Sequence, residues 1–389
     1  MSSDKRSIRV YAKWRPLADY EGVLGGIVHE TKAGSGSLSV VTINDHASGS
    51  RKRWSSSPVF TASLREWDDN AKVYEAAVAP SVSRVMGGGS CSFFAYGHSG
   101  SGKTHTMIGH DGELGLCLRA AHQLFTLLDD LNKKEVEGML GIGLSVLEIR
   151  QKSVFDLLNG RAEYFVREDP NGRTHVQGEA ETLPEDNVGT NPIVKRPFWD
   201  FESLRREVVT ATRHRAAGSS SVHDQSSRTH AVLALEIINR NSLNARQATI
   251  DQQSEDVNVA RGLSSTSTSF LGGRMVFVDL AGAEYHEVTP GSRLPTQRRT
   301  PQERQEGRQI NADLVALKEV TTAWSEKRPR VPFGSSALTM VLREHFESAK
   351  GGDSCIIATL SSAKEQYSAT LDSLQYASLV GAEGAQEER

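Results

Sequence analysis

An α/β fold built on one largely parallel sheet is what the sequence predicts, and three observations carry the prediction. Short apolar runs alternate with segments of helical periodicity along most of the chain. A glycine-rich loop, Gly97 to Thr104, follows one of those runs directly. An acidic residue, Asp279, ends another. The length suits one large domain or two modest ones: 389 residues, 38% hydrophobic and 24% charged, supply a sizeable core and lack the composition of a disordered chain. A formal net charge of −3 excludes a global positive field, so no nucleic-acid partner is expected and any polyanion must meet a local patch. Cys91, Cys117 and Cys355 stand far apart with no CxxC pair, which argues against a disulfide framework or a thiolate zinc site and for a reducing interior. The N-terminus MSSDKRSIRVYAKWRP has no apolar run after its basic residues, and no membrane-length apolar stretch occurs anywhere. Neither a signal peptide nor membrane insertion is therefore expected, and a cytoplasmic or nuclear location is.

Near the start, Ile8, Val10, Tyr11 and Trp14 surround alternating polar positions in a strand that Pro16 stops. Leu38 to Ile43 (LSVVTI) predicts a second strand, with loops rich in Gly, Ser and basic residues before it and around Ser48 to Ser57. From Asn70 to Met86, Val73, Ala76, Ala77, Pro80, Val82 and Val85 recur at helical spacing until Gly87-Gly88-Gly89 ends the helix. Cys91 to Tyr96 (CSFFAY) reads as a buried strand, Leu116 to Leu131 as an amphipathic helix and Gly143 to Ile149 as a strand. Val154 to Leu158 opens an excursion ending near Val176, and the prolines and acidic residues of 183–200 predict a surface insertion. A helix at Phe201 to Thr212 and strands at Ala231 to Ile238 and Met275 to Leu280 follow. Between those two strands, 239–272 is rich in Asn, Gln, Ser, Thr and Asp and reads as a mobile loop. Helices near 306–325 and 335–348, a strand at Ser354 to Leu360 and a helix at Tyr367 to Val380 complete one α/β domain without internal repeats.

Gly97-His98-Ser99-Gly100-Ser101-Gly102-Lys103-Thr104 has the spacing of a phosphate-binding loop and lies between a buried strand and a helix start. Glycines let the backbone curl so that successive N–H groups point at phosphate oxygens, and the helix N-terminus adds a favourable dipole. Lys103 would neutralise the β- and γ-phosphates and Thr104 would offer a hydroxyl to Mg²⁺. Such a loop alone serves a kinase, a GTPase or a motor alike. Asp279-Leu280-Ala281-Gly282 then places a carboxylate at the carboxyl edge of the sheet, with a glycine whose amide can approach the γ-phosphate. Ser226-Ser227-Arg228-Thr229-His230 supplies hydroxyls beside an arginine, just before another strand.

FAYGHSGSGKTHTM, SSRTH and VDLAGAE, in that order and at these distances, resemble the P-loop, switch I and switch II of the kinesin motor domain. RVYAKWRP at Arg9 to Pro16 is similar to the family's adenine-binding strand end, with Lys13 where arginine is usual. Leu147-Glu148-Ile149 and Val154 to Leu158 match its central strand and DLL motif. Glu306 to Leu317, Val331 to Leu342 and Thr370 to Ala377 resemble the helix after switch II, the following loop and helix, and the final motor helix. The resemblance implies a P-loop NTPase fold of kinesin-motor type, with a mixed, mostly parallel central sheet and helices on both faces. It implies a single motor domain over 1–389 with its core at about 8–380 and insertions at 183–200 and 239–272. No neck linker or coiled-coil heptads are recognisable after Ala377, so dimerisation is not expected from this chain.

The resemblance further implies a microtubule-stimulated ATPase, with ATP/ADP and Mg²⁺ as cofactors and a cytoplasmic, cytoskeletal location. It assigns Pro16 and His105 to an adenine sandwich with Arg15 alongside, and Gly97, His98, Ser99, Gly100, Ser101, Gly102, Lys103 and Thr104 to the phosphates. Thr104 and Ser227 would ligate the metal and Asp279 would act on it through water. Gly282 would sense the γ-phosphate, and Arg228 with Glu284 would latch the switches around attacking water. Departures from the family are His98, Ser99, His223 and Ala283 in the nucleotide loops, and Gly334, Ala337 and Met340 where basic residues usually meet tubulin. Arg298, Arg299, Arg304, Lys327, Arg328 and Arg343 are the cations left for a microtubule, with Arg293, Arg308 and Arg330 nearby. The thinned basic face admits a second reading, a nucleotide-gated microtubule-binding module with little motility. Leu317-Lys318-Glu319 and Pro332-Phe333 resemble the microtubule-depolymerising class, whose Lys-Val-Asp loop is not found.

Overall fold

The computed structural model describes residues 7–22, 28–33, 38–45, 52–110, 112–134, 139–168, 174–178, 194–217, 228–240, 272–283, 301–347 and 352–385. Strand β1 (Ser7–Arg15) sends Val10, Ala12 and Trp14 into one core and Tyr11 into another, as a period of two demands. One helical turn, α1 (Asp19–Gly22), precedes a small antiparallel sheet of β2 (Val28–Ala33), β3 (Ser39–Asp45) and β4 (Lys52–Ser55). β2 and β4 replace predicted loops. Their polar sequences suffice because β3 supplies the buried Val41 and Ile43 while the ladder satisfies the backbone.

After β5 (Ala62–Leu64), the single helix expected over 70–86 is divided. α2 (Asn70–Ala77), capped by Asp69, gives way to a 3₁₀ turn at Ala79–Ser81 and then α3 (Val82–Met86). Pro80 is the cause, since it has no N–H to donate and its ring crowds the preceding turn. β6 (Ser90–Tyr96), α4 (Lys103–Met107), β7 (Gly109–His110), β8 (Glu113–Leu114) and α5 (Leu116–Asn132) follow. The excursion is an antiparallel run of β9 (Leu140–Arg150), β10 (Ser153–Asp156), β11 (Ala162–Glu168) and β12 (Thr174–Gly178). The segment expected as a surface insertion rejoins the sheet as β13 (Arg196–Phe198), paired with β9, while 183–193 and 241–271 lie outside the described residues. α6 (Phe201–Ala217), β14 (His230–Asn239), β15 (Arg274–Asp279), α7 (Pro301–Ser325), a 3₁₀ turn at Phe333–Ser335, α8 (Ala337–Phe346), β16 (Gly352–Ser361) and α9 (Tyr367–Ala385) complete the chain.

The sheet runs β12-β11-β10-β9-β14-β15-β6-β16-β1-β5, with β13 also on β9. Pairing is parallel from β15 through β6, β16 and β1 to β5, and antiparallel from β15 outward. β9 and β11 point the same way as the parallel block, so most strands share one direction. Side chains alternate into two cores: Phe94 and Tyr96 meet α7, α8 and α9 on one face, and Cys91, Phe93 and Ala95 meet α2, α5 and α6 on the other. The carboxyl ends of β1, β6, β15 and β16 therefore converge, the place where open α/β sheets bind ligands.

Candidate active site

The loop after β6 turns as its glycines permit. Gly100 and Gly102 have φ of +73° and +97°, a region that disfavours side chains, and Gly102 caps α4. A Cβ on Gly97 would stand 2.4 Å from the Thr359 carbonyl oxygen, so β16 packs directly on the loop's first residue. Ser101 Oγ and Thr359 Oγ1 share a hydrogen bond at 2.7 Å. Lys103 is buried and its Nζ donates to the carbonyls of Gly97 (3.0 Å) and His98 (2.8 Å). His98 is buried too, and Nδ1 lies 2.7 Å from the Ser99 carbonyl while Nε2 has no hydrogen-bond partner among the described residues. Burial pushes its pKa down to about 4, with the Lys103 and Arg15 cations acting in the same direction.

Asp279, at the end of β15, is fully buried beside this loop. Its Oδ2 accepts from Thr104 Oγ1 at 2.7 Å and from Arg215 Nη1 at 2.6 Å, and Oδ1 has no partner among the described residues. Arg215 also donates to the Thr229 hydroxyl (3.2 Å) and carbonyl (2.6 Å). A hydroxyl and a carboxylate with a spare buried oxygen are hard donors of the kind Mg²⁺ takes, usually one or two from protein and the rest from water and phosphate. These residues fit that ion, and the guanidinium supplies positive charge at the same carboxylate. Arg215 was not among the predicted site residues; it lies past the predicted end of its helix, and nothing in its local sequence marks it.

Ser227 and Glu284 lie outside the described residues. Arg228 is exposed and stands 3.5 Å from Glu306, a buried carboxylate at the start of α7 that also accepts from Arg150 Nη2 at 2.7 Å. His230 Nδ1 accepts from the Ala281 amide at 3.0 Å, and the Ala283 amide donates to the Gly97 carbonyl at 3.1 Å. The segment around Gly282 is thus tied to β14 on one side and to the phosphate loop on the other. At the end of β1, Arg15 forms a two-point pair with the buried Glu21 at 2.7 and 2.6 Å. That pair holds the Glu21 carboxyl below its usual range. Pro16 is exposed, and His105 Nε2 is 3.2 Å from Glu113. Lys13 points inward rather than toward the site, donating to Asn70 Oδ1 (3.2 Å) and Thr106 Oγ1 (3.0 Å).

Of the cations assigned to a polymer face, Arg298 and Arg299 lie outside the described residues, and Arg304, Lys327 and Arg328 are exposed. Arg328 Nε is 2.5 Å from Glu326. Arg343 pairs with Glu168 of β11 (3.2 Å) and Glu347 (3.0 Å) and lies 5.3 Å over the Phe333 ring. Gly334 sits against the same Glu168 carboxylate, so a Cβ there would stand 2.2 Å from it.

A family model described as the kinesin motor domain matches residues 28–382. Human kinesin-like protein KIF24 is 30% identical over 311 residues, which take in 80% of this chain and 19% of that protein. Mouse kinesin-like protein KIF22 is 28% identical over 323 residues, 82% of this chain and 41% of its own. The chain spans less than half the length of these curated relatives. The motor domain of the Kar3-like kinesin from Ashbya gossypii matches in structure with a TM-score of 0.67 and 22% identity, over 96% of this chain and 99% of that one. A KIF14 segment solved with ADP in complex with a microtubule gives 0.69 and 24%, over 96% and 94%. Both show the same fold. Among the described residues no helix is long and apolar enough to cross a membrane.

Proposed function

The chain belongs to the kinesin motor-domain family, and from that premise we propose that it is an ATP hydrolase, one motor domain, whose nucleotide state governs its hold on a microtubule. The observation that carries this reading is the hydrogen bond from Thr104, next in the chain to Lys103, to the buried Asp279–Arg215 pair. Nothing in an ordinary glycine turn requires a buried carboxylate with an open oxygen there. Lys103 would exchange the carbonyls of its own loop for β- and γ-phosphate oxygens, and the loop's N–H groups would hold the rest. Thr104 and Ser227, with Asp279 acting through water, would hold Mg²⁺, which would supply charge neutralisation at the phosphates. Gly282 would donate its amide to the γ-phosphate. Arg228, leaving Glu306, would pair with Glu284 and fix the attacking water, whose proton passes to Glu284 directly or through a second water. Positioning and charge stabilisation are the main demands, since phosphoryl transfer asks little covalent chemistry of a protein. Pro16, His105 and Arg15 would flank the base.

The reading takes tubulin as partner through Arg298, Arg299, Arg304, Lys327 and Arg328, and places the protein on the cytoskeleton. Steady-state ATPase with and without microtubules tests it: strong stimulation is expected, and no hydrolysis under either condition would overturn it. A second reading, a nucleotide-gated binding module with little motility, is favoured by the intramolecular engagement of Arg343. Binding without stimulation would select it.

A further inference from the structure

Glu306, Gln309 and Asp313 recur at helical spacing on α7, and Glu306 and Asp313 are both buried. Asp313 accepts from Gln309 Nε2 at 3.0 Å through Oδ1, and its Oδ2 lies 3.6 Å from His230 Nε2. His230 is likewise buried, and its Nδ1 accepts the Ala281 amide proton. An accepting Nδ1 carries no proton, so the ring's hydrogen is on Nε2, the nitrogen nearer Asp313. At 3.6 Å the two do not form a hydrogen bond, and Nε2 has no other partner among the described residues. A small displacement of α7 toward β14 would close this buried donor onto the buried carboxylate. Neither residue takes part in the hydrolysis chemistry proposed above.

We propose that Asp313 is a positioning residue: through His230 it sets the Ala281 amide, and with it the orientation of the neighbouring Gly282 amide toward the γ-phosphate. This rests on the nucleotide reading of the site. Only a triphosphate reaches Gly282, so the effect must separate triphosphate from diphosphate.

The test is equilibrium binding of Mg·ADP and of the non-hydrolysable analogue Mg·AMP-PNP to the whole chain, alongside thermal unfolding. Asp313→Ala is expected to weaken AMP-PNP relative to ADP roughly tenfold, with ADP affinity kept. Asp313→Asn should preserve the wild-type ratio, because its amide oxygen can still accept from His230 while Gln309 reverses its own amide. His230→Asn covers the case in which Asp313→Ala does not fold: its carbonyl can replace Nδ1 at the Ala281 amide but does not reach Asp313, so it should reproduce the loss. Equal weakening of both nucleotides, an unchanged ratio, or Asn behaving as Ala at position 313 overturns the assignment. A wild-type chain that binds neither nucleotide overturns the nucleotide reading itself.

Discussion

Lys103 and Arg343 are both cations that the family resemblance assigns to a partner, and both are occupied within the chain, but on different terms. Lys103 is buried and held by two carbonyls of its own loop, and nearby Arg215 is buried against Asp279. A phosphate oxygen offers Lys103 a stronger, charge-assisted partner than a backbone carbonyl, and a divalent ion offers the same to the Asp279 carboxylate. Arg343 is half-exposed, with two carboxylates and an aromatic face around it. It is already neutralised, and an acidic polymer must compete with Glu168 and Glu347 for it. At the phosphate loop the internal contacts keep the site ready for a ligand, and at the α8 surface they oppose one.

The sharpest way to break this contrast is Lys103→Ala, for which ATP hydrolysis is expected to fall ~10³-fold while the fold is kept, since the charge at the phosphates is lost. Normal turnover with an intact circular dichroism spectrum would refute the role. Next comes Arg215→Ala. It strands a fully buried carboxylate, and the nucleotide-free chain is expected to lose about 3 kcal/mol of unfolding free energy. Adding Mg·ADP should recover most of that loss, so the ligand-induced rise in Tm should exceed that of wild type; an equal rise would mean that Arg215 does not share the ion's place.

Lys13 supplies a pH test. Burial pulls its pKa from 10.5 down to about 8, so between those values the unfolded chain holds a proton that the folded chain has released, and stability rises with pH across that window. Below pH 8 the burial cost is fully present. Lys13→Met is therefore expected to stabilise the protein by roughly 2 kcal/mol at pH 7, with the gap to wild type closing toward pH 10. Chemical denaturation at several pH values would show a constant gap if this is wrong. The smallest effect belongs to Glu168→Gln. It should alter stability by less than ~1 kcal/mol but raise microtubule affinity a few-fold at low ionic strength, with the gain fading in salt. Cosedimentation that shows no gain would mean Arg343 stays engaged through Glu347 and Phe333.

The sequence made the phosphate loop and Asp279 legible because both are contiguous and carry their chemistry in residue type and order. The strands that bring them together were legible as apolar runs. Arg215, Glu306 and Asp313 were not, since each acts across the fold on a residue from a distant segment, and a single basic or acidic residue on a helix reads as ordinary solvated charge. The division of the 70–86 helix was visible in Pro80 yet masked by apolar spacing that continues across it. β2 and β4 were hidden because edge strands of a small sheet need no apolar face of their own. Glu168 and Arg343 show the same limit at the surface. Position 343 reads as a free cation until the hairpin of β11 and β12 folds back over it.

Strand β16 lies between β6 and β1, paired with both along most of their lengths. Residues from the first strand and from the last thus sit side by side, and the strand that feeds the phosphate loop stays an open edge until residue 352 and beyond have been synthesised. A nascent chain therefore carries unpaired edges at β1 and β6 until β16 has been made, the condition under which chains need shielding from one another. Closure depends on contacts of very high sequence separation, so refolding from denaturant should be slow, with recovery of nucleotide binding among its last events.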